Sequence, residues 1–415
     1  VSESKGSELI YDWNEVRRRG PLLQKRPEFD DETLRDGIQS PSVVDPPIEE
    51  KLKILHLQSQ LGITTANIGL PGAGPRAFND VLRLAKEIAD QRLPIQANCA
   101  CRTVEADIAP VVEVSQRVGI PVEVYTFIGS SPIRQFAENW TVDHILATSE
   151  KAIAFAVKQG MDVAYVTEDT TRSRPSDLDR LFRHAIGLGV KRLVICDTVG
   201  HATPDGIFNL IGWTRNLIEG LGVDVKIDWH GHNDRGLAVT NAIIALEAGA
   251  DRVHGTCLGV GERVGNAAID QVLLNLKLLG QIDNDLTRLL EYCQTVSRAC
   301  EWPIPRNYPL AGSDAFRTTT GVHAAAIVKA FERNDPWLAD RVYSGVPAGV
   351  FGKQQEIEIG PMSGMSNVRF WMKTHDVPFD EAVGKAILGR AKQSDRTLAD
   401  PEVFEVIRGF AGPSA

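Results

Sequence analysis

The chain has 415 residues, 45 basic against 54 acidic side chains, a hydrophobic share of 43% and a charged share of 24%. That apolar fraction buries a large core, which excludes a disordered chain and a small disulfide-stapled scaffold. The net charge of −9, with no clustered basic stripe, argues against nucleic acid or an anionic membrane as partner.

At this length one large domain of roughly 250 to 300 residues is expected, with a smaller one beside it. Residues 1–26 read as an N-terminal arm, VSESKGSELIYDWNEVRRRG onward, without the apolar core of a signal peptide. From about residue 27, runs rich in Val, Ile and Thr alternate with longer amphipathic stretches. The runs expected as strands are 28–36, 64–69, 94–100, 121–129, 162–169, 191–198, 225–232 and 251–259. Their starts are 26 to 41 residues apart, room for a strand plus a crossover helix. Helical patterns fill the gaps: IEEKLKILHLQSQLG stops at Gly62, and SDLDRLFRHAIGLG opens on Ser176 as N-cap. Eight such units predict a (β/α)8 barrel over 27–300. A doubly wound sheet is disfavoured, because no Gly-rich nucleotide turn follows the first strand. Over 301–415 the rhythm stops, and a smaller, mainly helical region is expected.

No segment approaches the roughly 18 uninterrupted apolar residues of a membrane span. The six cysteines, Cys99, Cys101, Cys196, Cys257, Cys293 and Cys300, are too few for a disulfide framework. They read as reduced thiols, so a soluble cytoplasmic protein is expected.

In such a barrel the active site lies at the carboxyl ends of the strands. There stand Arg35 and Asp36 after the first run, Glu168 and Asp169 after the fifth, and Asp197 and Thr198 after the sixth. His230-Gly231-His232-Asn233-Asp234 ends the seventh, and the Gly-rich loop from Gly259 to Asn266 follows the eighth. His230 and His232 are two apart on a strand, so both leave the same face. With Asp36 and the carboxamide oxygen of Asn266 from adjoining strands, they make a divalent-cation site with open positions. The nitrogen and oxygen donors suit Mg²⁺, Mn²⁺ or Zn²⁺. Beside Arg35, such a cation is a seat for a 2-oxo acid whose ketone is polarised toward attack.

TLRDG at 33–37, HGHND at 230–234 and GVGERVGNA at 259–267 together resemble the acyl-CoA-condensing branch of the DRE-TIM metallolyases, the 2-isopropylmalate, homocitrate and citramalate synthases. TEDTTRS at 167–173 and CDTVGHATP at 196–204 are further matches. The resemblance implies metal-dependent condensation of acetyl-CoA with a 2-oxo acid, followed by thioester hydrolysis. Asp36, His230, His232 and Asn266 would hold the metal, and Arg35 would stabilise the alkoxide or enolate oxygen. Thr198 would bind the substrate carboxylate, with Arg172 and Asn67 beside it, and Glu168 would serve acid-base chemistry. GVHAAA at 321–326 would bring His323 as acid-base partner, with Tyr343 from the same region. That region would reach into the neighbouring subunit's barrel, so a homodimer is implied. Gly259, Gly261 and Gly265 would touch coenzyme A.

The chain also departs from that pattern. Asn67 in ANIG stands where the family carries glutamate, which removes a negative charge from the site. SGMSN at 363–367 and NCACR at 98–102 are unusual, and they weigh against a standard leucine-pathway assignment. The regulatory domain that many such synthases append is not expected, nor is feedback through one. Carbon–carbon cleavage is the competing activity. The lyase branch carries a cysteine in the loop after strand eight, and GVGERVGN has none. A barrel that has lost catalysis is a third reading, with Asn67 as its only support.

Overall fold

The computed structural model describes residues 9–16, 22–23 and 25–411. The arm expected over 1–26 is thus described only in part. The chain divides into two compact units, Arg17–Pro303 and Val1–Val16 with Ile304–Ala415. The barrel unit runs to Pro303, three residues beyond the expected 300, and begins at Arg17 rather than 27; Trp302 N donates to Ser297 O (2.9 Å) just past the helix Leu289–Ala299.

The larger unit is a closed parallel barrel in strand order β1 to β8. Its strands are β1 (Glu28–Asp31), β2 (Thr65–Asn67), β3 (Gln96–Arg102), β4 (Val122–Gly129), β5 (Val163–Glu168), β6 (Arg192–Asp197), β7 (Lys226–Gly231) and β8 (Arg252–Gly255). β1 closes the ring on β8, with Asp30 opposite His254 and Asp31 opposite Gly255. Helices lie between the strands, and both strand faces are buried, as a barrel lined by helices requires. Four of these helices begin on a proline, at 75, 132, 175 and 204, where its ring presets the first helical φ and its missing N–H costs nothing.

Three local expectations are corrected. The first strand ends at Asp31 rather than 36, because Arg35 N and Gly37 N both return to Glu32 O (3.0 and 3.1 Å) and close a turn. Arg35 and Asp36 therefore stand on that turn, not on a strand. β8 stops at Gly255, and Cys257–Gly259 forms a short 3-10 turn. Ser176 is not a cap: the helix starts on Pro175, and Ser176 Oγ donates to Asp177 Oδ1 at 3.3 Å. Gly62 does follow the helix Ile48–Gln60, in the left-handed region at φ 74°.

The second unit has more structure than the sequence pattern suggested. Helices Gly321–Glu332, Met365–Thr374, Glu381–Lys392 and Asp400–Ala411 are joined by a two-stranded parallel sheet, β9 (Arg317–Thr318) with β10 (Glu356–Ile357). Val368, Trp371, Met372, Ile387 and Val403 form its core. All six cysteines are buried and free. Among the described residues no helix is long and apolar enough to cross a membrane.

Candidate active site

The site grows from the two-residue period of the strands. Glu28, Asp30 and Glu32 alternate along β1 and its extension, Asp228 and His230 along β7, and Arg252 and His254 along β8. Every second residue faces the same way, so these side chains meet inside the barrel. Arg252, fully buried, donates from Nε to Asp228 Oδ2 (2.9 Å), and Arg192 donates to Asp228 Oδ1 (2.8 Å) and Glu28 Oε2 (2.7 Å). Burial raises Asp228, but Arg252 and Arg192 hold it far below the usual carboxylate range. Burial likewise pulls His254 down, but the Asp228 and Glu32 carboxylates hold it up at about 10, so it is an imidazolium. Buried ions cost several kcal/mol each unless paired. Here each cation meets a carboxylate.

Above this layer lies a cavity of about 190 Å³. At its edge His230 Nε2, His232 Nε2 and Asp36 Oδ2 form a triangle with sides of 3.3, 3.4 and 3.7 Å. Donors bound at about 2.0–2.2 Å around one dication stand about 3–3.6 Å apart; two sides fall in that range and the third, at 3.7 Å, lies just beyond it, so the three come together closely enough for a metal ion. Burial pulls His232 down to about 4, with His230 adding to the effect; it is neutral and keeps a lone pair for a ligand bond. Burial raises Asp36, yet Arg35 and His230 bring it below the usual range. Asn266 joins the group through its amide nitrogen, which donates to Asp36 Oδ2 at 2.6 Å, and its buried Oδ1 has no hydrogen-bond partner. The expected oxygen ligand is thus turned away from Asp36 as the amide stands. Rotating the last side-chain torsion exchanges the two atoms, and the orphaned oxygen is what a cation would use.

Glu32 and His254 escaped the sequence reading. Glu32 Oε2 lies 2.9 Å from His230 Nδ1, and Oε1 lies 2.7 Å from Arg35 and 3.3 Å from His254 Nδ1. The two-residue period along β8 sets His254 on the face of Arg252, a signal that could have found it, whereas Glu32 stands past the end of β1 and carries no such signal.

The other expected residues are distributed as follows. Arg35, Asn67, Glu168 and Thr198 line the cavity. Burial pushes the Glu168 carboxyl above the ordinary 4.5, against the pull of Arg134 at 3.8 Å. Thr198 Oγ1 accepts from Asp169 N at 2.8 Å, so its own hydrogen stays available. Arg172 is not in the lining: Asp169 takes its guanidinium in a two-point contact, 2.7 Å on each side. Asn67 does not cost the site a carboxylate as expected, because Glu32 supplies one against it, with Asn67 Nδ2 donating at 3.4 Å. Gly259, Gly261 and Gly265 serve the folding of their own loop. A Cβ on Gly261 would stand 2.0 Å from Asn266 Oδ1, and one on Gly265 1.8 Å from Gly259 O. His323 and Tyr343 belong to the second unit, where their rings stack at 4.2 Å.

The family model HMGL-like matches residues 26–296. The chain belongs to the HMGL-like, or DRE-TIM, family. This HMGL-like protein is 30% identical over 366 residues to a probable 2-isopropylmalate synthase of Methanopyrus kandleri, across 88% of this chain and 68% of that one. It is 31% identical over 349 residues to a putative 2-isopropylmalate synthase of Buchnera aphidicola, across 83% and 86%. Homocitrate synthase AksA of Methanocaldococcus jannaschii is 29% identical over 402 residues, 95% of this chain and 93% of that one. Among solved structures, the HMG-CoA lyase of Bacillus subtilis superposes with a TM-score of 0.56 at 21% identity, over 69% of this chain and 97% of the lyase. The hydroxymethylglutaryl-CoA lyase of Pseudomonas aeruginosa gives 0.56 at 18%, over 67% and 94%. At these identities the likeness speaks to the fold, a (β/α)8 barrel.

Proposed function

We propose that this HMGL-like protein joins acetyl-CoA to a 2-oxo acid with an apolar side chain and then hydrolyses the thioester, giving a 2-alkylmalate. The observation that carries this reading is the triangle of Asp36, His230 and His232 beside Arg35, facing a wall of Leu70, Phe127, Val166 and Val194 in one cavity. A Mg²⁺, Mn²⁺ or Zn²⁺ ion held by the triangle and Asn266 supplies Lewis-acid polarisation of the ketone. Arg35 stabilises negative charge that gathers on the ketone oxygen, and the Thr198 hydroxyl donates to the acid's carboxylate. Removing a proton from the thioester methyl needs a positioned base, and Glu168 is the half-buried carboxylate available for proton transfer. The resulting carbanion forms the new carbon–carbon bond. Water then cleaves the thioester and releases the thiol of coenzyme A.

The apolar preference follows from charge. The arginines in the cavity wall are Arg35 and Arg263, and both are engaged, Arg35 by Glu32 and Arg263 by Asp234 at 2.9 Å. Neither is left for a second carboxylate, so a branched apolar acid fits better than 2-oxoglutarate. The synthase names of the relatives, at about 30% identity, support the reaction class.

The unit of activity in this reading is a homodimer. His323 and Tyr343 stand on a surface with the exposed apolar residues Val322 and Met362, and Gly321 N donates to Met362 O at 3.0 Å. A second copy of the chain would cover them while His323 enters the partner's cavity as acid-base group.

The test is release of free thiol from acetyl-CoA across a panel of 2-oxo acids. Release is expected only with acyl-CoA, 2-oxo acid and divalent metal all present, and branched apolar acids should exceed 2-oxoglutarate at least about tenfold. Asp36→Ala or His232→Ala should lower metal content and turnover together. No release by metal-replete protein on any acid would end the proposal.

A further inference from the structure

We infer that Glu32 is the positioning residue of the metal triangle, holding His230 in the tautomer that leaves Nε2 free and bracing Arg35 beside it. The inference rests on the reading that Asp36, His230 and His232 bind a dication.

Glu32 is 1% exposed. Its two oxygens stand among four nitrogens: His230 Nδ1 at 2.9 Å from Oε2, an ion-pair contact without hydrogen-bond alignment, and Arg35, His254 Nδ1 and Asn67 Nδ2 at 2.7, 3.3 and 3.4 Å from Oε1, of which Asn67 donates a hydrogen bond. Ionised, a carboxylate only accepts, and it has about four lone-pair sites to offer. With a carboxylate oxygen 2.9 Å away, a hydrogen on His230 Nδ1 is the favoured arrangement, and it leaves the lone pair on Nε2, the atom in the triangle. A carboxylate behind a ligating imidazole fixes its ring and raises its basicity, and losing it typically costs about 10–100-fold in metal affinity. The cost of burying this charge is offset by Arg35, 2.7 Å away.

Asn67 completes the argument. At 3.4 Å from Glu32 its amide is a donor; a second carboxylate there would repel the first. Asn67 Nδ2 donates to Glu32 where an acidic side chain would face it. In this chain the negative charge comes from the β1 side.

The experiment titrates the metal-free protein with Mn²⁺ alone, reading free Mn²⁺ by electron paramagnetic resonance and folding by thermal melting. Glu32→Gln keeps the shape but places an amide donor against either His230 or Arg35. Its Mn²⁺ affinity should fall about 10–100-fold. Glu32→Asp, which keeps the charge, should fall between the two. Glu32→Ala should bind weakly, and adding Asn67→Glu to it should restore part of the affinity, while Asn67→Glu alone should weaken binding. Folded Glu32→Gln with an affinity within about twofold of the parent would overturn the inference, as would a Glu32→Ala/Asn67→Glu protein no tighter than Glu32→Ala. Because no acyl-CoA or 2-oxo acid enters the titration, its result stands apart from the fate of the thiol-release assay.

Discussion

At the scale of single residues the site separates groups by their surroundings. His232 is neutral at physiological pH because burial pulls it down to about 4, whereas His254, two strand positions beyond Arg252, is held charged by carboxylates. Glu168 has the opposite problem, a carboxylate raised by burial. If its ionised form is the base, kcat/KM falls as pH drops, along a limb above the ordinary glutamate value of 4.5. Arg134 lowers that value, so Arg134→Ala should move the limb to higher pH. Glu168→Gln should cut turnover by about 10² to 10⁴ with Mn²⁺ affinity unchanged. A pH profile of each variant checks both. The histidine pair was legible because His-x-His is conspicuous. Glu32 was not, because one acidic residue in FDDETLRD carries no label saying which face it takes until the turn at 33–36 is known.

At the scale of elements, turns rather than strands carry the chemistry. The strands end early, and the loops after β1 and β8 lie against each other: Glu32 N meets Gly255 O at 2.8 Å, and Cys257 N meets Thr33 Oγ1 at 2.8 Å. The Gly-rich loop turns back on itself, with Asn266 N donating to Gly259 O at 3.0 Å and Asn233 N to Gly265 O at 2.8 Å. Gly265 sits at φ 90°, a conformation that costs an L residue roughly 1–3 kcal/mol, and its Cβ would collide with Gly259 O. Gly265→Ala should therefore lower stability by at least about 1–3 kcal/mol and weaken Mn²⁺ binding, because Asn266 would leave Asp36. Thermal melting and the Mn²⁺ titration read the two effects separately. The motif marks this loop in the sequence. That its glycines serve backbone crossing, and leave the cavity wall to Glu262 and Arg263, shows only in three dimensions.

At the scale of the molecule the barrel interior is polar where apolar layers are the rule. Asp30, Glu123, Asp228, Arg192, Arg252 and His254 occupy it, and the ladder of pairs continues upward through Glu32 to His230. Removing one partner of such a buried pair costs about 3–5 kcal/mol, so the layer ties the barrel's stability to the placing of the site. The proposed homodimer has a test of its own. His323→Ala and Asp36→Ala subunits, each inactive, are mixed and allowed to exchange. If the second unit serves the partner's barrel, half the dimers are hybrids with one intact site, and roughly a quarter of parental activity returns. No recovery, with exchange verified by mass, would place His323 in its own subunit's chemistry or outside it.

Local rules in the sequence were enough for the eight-unit rhythm, the barrel class and the clustering of TLRDG, HGHND and GVGERVGNA at one end, because period and turn residues act over short range. Which face each strand turned inward, where β1 gave way to a turn, and the meeting of Glu32, Asn67, His230 and His254 depended on ring closure between β1 and β8. Those contacts join residues up to 222 positions apart, His254 and Glu32 among them. Separations of that kind are set by how strands register around a barrel, which no stretch of the chain specifies alone.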